Sequence, residues 1–155
     1  MNNWEVLSLF ENVNVRIVRG KPVLYKPLLI LHALEQCRLK NDRLMNFESI
    51  QRRLSDVFDQ CFPNEEHKNF HHAFGRLEND GIWEVVNSQN LRRTSSNDLY
   101  KSELVKNNVV GGFTKDIYNI LTVDYSLIKM IGDQILYEYI DESSHSKVLN
   151  KLKYT

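Results

Sequence analysis

Lys26 stands between Tyr25 and Pro27 at the head of an apolar run, Leu28-Leu29-Ile30-Leu31. A helix beginning there presents free backbone N–H groups and the positive end of its dipole, so an added ammonium makes a spot suited to an anion such as phosphate. The plainer reading is that Pro27 merely starts a helix and Lys26 is solvated. A second group, Lys68, His71-His72-Ala73 and Arg76, offers cations, imidazole edges and one methyl on a short helix. Adjacent histidines point about 100° apart on a helix, and neither is followed by Glu or Cys three or four residues on, so they make no metal-ligand set. Arg92 and Arg93 lie together in a polar loop. No serine elbow, Cys-His arrangement or paired carboxylates occur at recognisable spacing, so these residues point to binding a polyanion and not to nucleophilic catalysis.

The elements that position these groups follow from periodicity and punctuation. A first helix is expected over 3 to 12, then a basic connector from Arg16 to Lys21 that closes on Gly20 and Pro22. Pro27 fits a first helical turn, and the run through Ala33, Leu34 and Cys37 is apolar enough for a central buried helix ending near Lys40-Asn41. A short strand, Leu44 to Phe47, precedes a helix from Glu48 to Phe62 with Ile50, Leu54, Val57, Phe58 and Cys61 on one face. Phe70, Phe74 and Leu77 recur at i, i+4 and i+7 along a helix over 68 to 78, and Asn79-Asp80-Gly81 turns it into an apolar strand over 82 to 86. Gly75 inside that helix costs roughly 1 kcal/mol relative to alanine; close approach of another backbone, or tight helix packing inside the protein, would account for it.

Residues 87 to 98 read as a mobile polar loop or wing, followed by a helix near 99 to 107. Val109-Val110-Gly111-Gly112-Phe113 reads as a bend with an aromatic plug, Thr114 and Asp124 as caps of two further helices, and Ser143 to Leu152 as a last one. The fold class expected is mainly α with a small β component, a winged helix-turn-helix-like core with additional C-terminal helices.

The 155 residues suit one domain, and 42% hydrophobic content builds a core without metal or disulfide. Cys37 and Cys61 fall on apolar helix faces, as buried free thiols do. No run approaches the ~18 apolar residues of a membrane span, and the start lacks a signal sequence, so a cytoplasmic location without membrane partners is expected. The net charge is zero, but it is segregated: residues 14 to 53 carry nine Lys/Arg against three Asp/Glu, 54 to 85 two against seven, and 86 to 115 five against two. Two basic blocks flanking an acidic one suit a polyanion surface with an acidic reverse side.

Three blocks, Tyr25-Lys26-Pro27-Leu28-Leu29-Ile30-Leu31, Phe74-Gly75-Arg76-Leu77-Glu78-Asn79-Asp80-Gly81-Ile82-Trp83 and Gly111-Gly112-Phe113, occur in an order and spacing that resemble the sulfur-binding domain of phosphorothioate-dependent restriction endonucleases, the McrA-like type IV enzymes with an HNH nuclease. The resemblance spans roughly residues 10 to 150. It implies a shallow apolar pocket that takes the sulfur of a modified linkage, placed on Tyr25, Pro27, His72 and Ala73. The family's basic pair before Pro falls on Tyr25 and Lys26, and its Tyr-Pro falls on His72 and Ala73; both are departures, and Ala73 supplies one methyl for a ring. A family arginine near the modified phosphate corresponds to Arg92 or Arg93.

Sulfur is larger than oxygen and a poorer hydrogen-bond acceptor, so an apolar wall favours it where a ring of tight donors favours ordinary phosphate. Lys26, Lys68, His71, Arg76, Arg92 and Arg93 are the expected phosphate and base contacts.

The expected partner is double-stranded DNA carrying phosphorothioate linkages, with pairing of two protomers left open. Residues 1 to 155 form the binding domain, with 141 to 155 leading towards a nuclease domain beyond Thr155. The binding domain needs no cofactor, and a divalent metal is expected only for that nuclease. Two alternatives stand beside this: a winged-helix regulator of unmodified DNA, and a protein-interaction domain.

Overall fold

A computed structural model describes residues 1–65 and 70–155. Asn2 caps the first helix, α1 (Asn3–Glu11), by accepting the Glu5 N–H at 2.9 Å, and Val6 and Phe10 turn inward. The basic connector that follows is a β-hairpin, β1 (Ile17–Val18) paired antiparallel with β2 (Lys21–Pro22). Arg19 (φ 52°) and Gly20 (φ 78°) form its turn. Two consecutive positive φ values are the type I′ pattern whose twist matches a two-residue hairpin.

α2 (Tyr25–Arg38) is the hub, and Lys40 at positive φ (56°) turns the chain out of it. Apolar side chains surround it, so it is buried on nearly every face, with Leu28, Leu29, Leu31 and Leu34 fully enclosed. Each contributes roughly 1.5–3 kcal/mol by leaving water. β3 (Met45–Asn46) leads into α3 (Phe47–Cys61), which Asn46 caps by accepting the Ser49 N–H at 3.2 Å. α4 (Phe70–Arg76) packs on α2 and α3, and a single 3-10 turn, Leu77–Asp80, carries it to Gly81 at φ 78° and into β4 (Trp83–Val85). Gly75 faces the Leu99 side chain, which an added Cβ would meet at 3.2 Å. The close neighbour is thus a side chain, so tight packing inside the protein, and not approach of another backbone, accounts for this glycine.

α5 (Lys101–Lys106) precedes β5 (Val110–Phe113), which holds the centre of a three-stranded antiparallel sheet ordered β3-β5-β4. The expected bend at Gly111-Gly112-Phe113 is therefore a strand, and the neighbours of its glycines explain why. A Cβ on Gly112 would lie 1.9 Å from the Arg43 carbonyl oxygen, and one on Gly111 would lie 2.7 Å from Phe74 Cζ. Backbone and aromatic ring close onto the strand only because both positions lack side chains. The 87–98 segment, read as mobile, is held by a 3-10 turn at Ser88–Asn90 and a bridge between Arg93 and Leu99.

α6 (Lys115–Leu121) follows Thr114, whose hydroxyl makes no cap bond, whereas Asp124 caps α7 (Tyr125–Tyr139) by accepting the Leu127 N–H at 3.0 Å. α8 (His145–Lys151) lies on α3. Leu152 and Tyr154 are buried, the Tyr154 hydroxyl donates to Asp133 at 2.8 Å, and its ring fills the space over Gly132. Residues 141–155 are thus part of the domain body. The described chain is mainly helical with two small antiparallel sheets, and none of its described helices is long and apolar enough to cross a membrane.

Candidate nucleic-acid interface

A cleft of about 280 Å³ opens between the start of α2, the outer face of α4 and the base of the hairpin. Tyr25 and Lys26 come from α2, His72, Ala73 and Arg76 from α4, and Asn14, Val15, Arg16 and Val23 from the segments flanking β1 and β2. Residues almost fifty positions apart meet here because α4 packs against α2. The Tyr25 ring is seated edge-on to Phe70 with centroids 5.0 Å apart and tilted against Phe58 at 5.6 Å. Val15, Val23, Tyr25 and Ala73 give the cleft an apolar wall, and Arg16, His72 and Arg76 give it a polar rim. Pro27 is buried within α2 and is not part of the wall.

Most cations that the sequence marks for this region already hold a carboxylate. The Lys26 ammonium donates to Asp80 at 2.7 Å and to the Asn14 carbonyl at 2.8 Å, while the other Asp80 oxygen accepts the Asn14 N–H at 3.0 Å. This knot ties the entrance of α2 to the turn after α4. Arg76 grips Asp98 with two parallel bonds of 2.6 and 2.7 Å, holding the Asp98 carboxyl below the usual carboxylate range. Arg92 lies 3.6 Å from Glu103, whose carboxyl is lowered chiefly by the Arg92 backbone N–H, and its guanidinium stands over the Tyr100 ring at 5.5 Å. Arg93 lies 3.6 Å from Glu78 and donates to the Asn97 carbonyl. Neither Arg92 nor Arg93 lines the cleft.

His71 also lies outside the cleft wall; its Nδ1 is buried without a hydrogen-bond partner among the described residues, and burial lowers its pKa to about 4. Its ring lies 4.3 Å from that of His72, so the two imidazoles are neighbours, not the diverging pair expected from helical spacing. Lys68 lies outside the described residues. Both thiols are buried and free, and burial pushes Cys37 up to about 12.

Sequence reading missed Asn14, Val15, Arg16 and Val23 as cleft residues. A signal was present: Val13-Asn14-Val15-Arg16-Ile17 alternates apolar and polar residues, the period of a strand. The carboxylate partners carried no such signal, because Asp80 and Asp98 are 54 and 22 positions from the cations they bind.

A family model described as the ScoMcrA-like, DNA sulfur-binding domain matches residues 4–155. No curated protein sequence matches the chain. Among solved structures, the sulfur binding domain of ScoMcrA complexed with phosphorothioated DNA is 18% identical with a TM-score of 0.82, over 94% of this chain and 96% of that one. The corresponding SprMcrA domain, also complexed with phosphorothioated DNA, is 14% identical with a TM-score of 0.80, over 99% and 95%. The type IV phosphorothioation-dependent restriction endonuclease ScoMcrA is 20% identical with a TM-score of 0.77, and the match covers 95% of this chain but 32% of that larger one.

Proposed function

The chain belongs to the ScoMcrA-like DNA sulfur-binding domain family, and from that premise we propose that its cleft receives a phosphorothioate linkage of double-stranded DNA. The observation that carries this reading is the apolar wall of Val15, Val23, Tyr25 and Ala73 set beside Arg16, His72 and Arg76. A sulfur atom laid on that wall loses little hydration, whereas an oxygen in the same place gives up water without gaining a donor. Burying roughly 40 Å² of sulfur at about 25 cal/mol/Å² favours the modified linkage by about 1 kcal/mol. An oxygen left unsatisfied there adds about 1–3 kcal/mol to the difference.

The arrangement of α2, α3 and α4 beside the β3-β5-β4 sheet is read as a winged-helix-like core, with 87–98 in the position of a wing. Directing a restriction nuclease in a longer protein is the role consistent with the larger relative, and one chain is enough to build the cleft. Competition between two duplexes of one sequence, with and without a single sulfur, tests the reading. Tighter binding of the sulfur duplex is expected; equal affinity would overturn the proposal in favour of a reader of unmodified DNA.

A further inference from the structure

Lys26, Arg76, Arg92 and Arg93 each hold a carboxylate. The hairpin differs. Arg16, Arg19 and Lys21 are exposed, and none of their side chains has a hydrogen-bond or ion-pair partner among the described residues. Arg16 lines the cleft itself, as does Val23 just after the second strand, so the hairpin rises from the rim of the site. Its other flank borders a hollow that includes Glu65 and Asp141, yet no ion pair forms with either. Ile17 and Val18 are 57% and 42% exposed, so the strand stands clear of the core. The type I′ turn at Arg19-Gly20 fixes the arm's shape with little loop entropy left to lose.

We propose that the β1–β2 hairpin is the electrostatic arm of the interface, and that Arg16, Arg19 and Lys21 hold the DNA phosphates flanking the linkage seated in the cleft. The proposal rests on the DNA-binding reading above and assigns its sequence-independent affinity to residues that the family resemblance did not mark. Sulfur preference and backbone grip are then separable. The wall of the cleft sets the first, and the hairpin sets the second.

The test measures affinity for the sulfur duplex and its oxygen twin across a salt series, using the whole chain. The variant Arg16→Gln/Arg19→Asn/Lys21→Gln keeps an αL-tolerant residue at the turn. Each lost phosphate contact reduces the slope of log K against log salt by about 0.9, so a reduction of about two to three is expected. At about 0.1 M salt both affinities fall tenfold or more, and in Arg19→Asn/Lys21→Gln, which spares the cleft-lining Arg16, their ratio moves less than about twofold. The pair Arg16→Gln/Lys21→Gln leaves the turn intact and should lose about 1.8 of slope. Lys115→Gln/Lys147→Gln/Lys153→Gln removes the same charge at exposed positions that do not line the cleft and should leave the slope nearly unchanged.

An unchanged slope in the hairpin variants, or an equal loss in the control, would overturn the assignment. A wild-type chain indifferent to sulfur would instead defeat the cleft reading while leaving the slope comparison to judge the hairpin.

Discussion

Replacing Lys26 with alanine should weaken the fold far more than it weakens DNA binding. The Lys26 and Asp80 side chains are only 14% and 6% exposed, and the ammonium sits 2.7 Å from the carboxylate. Without the lysine, Asp80 keeps one backbone donor, the Asn14 N–H at 3.0 Å, and the Asn14 carbonyl loses its ammonium donor. Breaking a buried pair by removing one partner costs about 3–5 kcal/mol, because the surviving charge stays out of water. With a urea dependence of about 2 kcal/mol/M, the lower figure moves the unfolding midpoint down by about 1.5 M. For a chain of this length the melting temperature falls by about 6–12 °C. The double variant Lys26→Ala/Asp80→Ala should regain most of the loss, since no uncompensated charge remains. Affinity of the folded fraction for either duplex should change by less than about fivefold, or 1 kcal/mol. Placement at the head of α2 alone suggests the opposite, a uniform loss of DNA affinity with stability intact. A urea midpoint close to wild type together with a large equal loss on both duplexes would refute the buried-pair reasoning.

Ala73→Asp places a carboxylate on the apolar wall and should abolish the preference for sulfur, read as the ratio of two duplex affinities; a retained ratio would exclude Ala73 from the pocket. Gly112→Ala sets a methyl 1.9 Å from the Arg43 carbonyl oxygen and should prevent the sheet from closing, seen as loss of a cooperative thermal transition. Burial lowers His32 and His71 from 6.5 to about 4, so the unfolded chain binds more protons between these values. The stability from keeping them neutral is complete above pH 6.5 and lost as pH falls towards about 4; equal urea midpoints at about pH 7 and pH 5 would contradict this. Asp98, lowered by its bonds to Arg76, adds a loss at still lower pH, and Arg76→Gln should flatten that acid limb.

Much of the framework is legible in the chain because helices announce themselves locally. The apolar spacing of Ile50, Leu54, Val57, Phe58 and Cys61 marks the buried face of α3, and Asp124 marks the start of α7. Asn79-Asp80-Gly81 marks the turn into β4 through its need for positive φ. The Gly111-Gly112 strand is hidden because its cause is the distant Arg43 carbonyl and Phe74 ring, while glycine by itself argues against a strand. Of the residues chosen for the pocket, Tyr25, His72 and Ala73 meet at the cleft, whereas Pro27, one position after Lys26, points into the core. Arginines 92 and 93 read as free cations because a sequence shows charge but not the folded neighbours Glu103 and Glu78.

The carboxylates that clasp Lys26, Arg76, Arg92 and Arg93 behave as resident counterions. Ordinary chromosomal duplex recruits proteins largely by releasing the ions condensed on it, and cations neutralised in advance gain less from that exchange. With those four pairs already closed, the region around the cleft draws less on that exchange when it meets unmarked duplex. Rare chemically tagged sites then face weaker competition from the vast excess of decoy sequence around them.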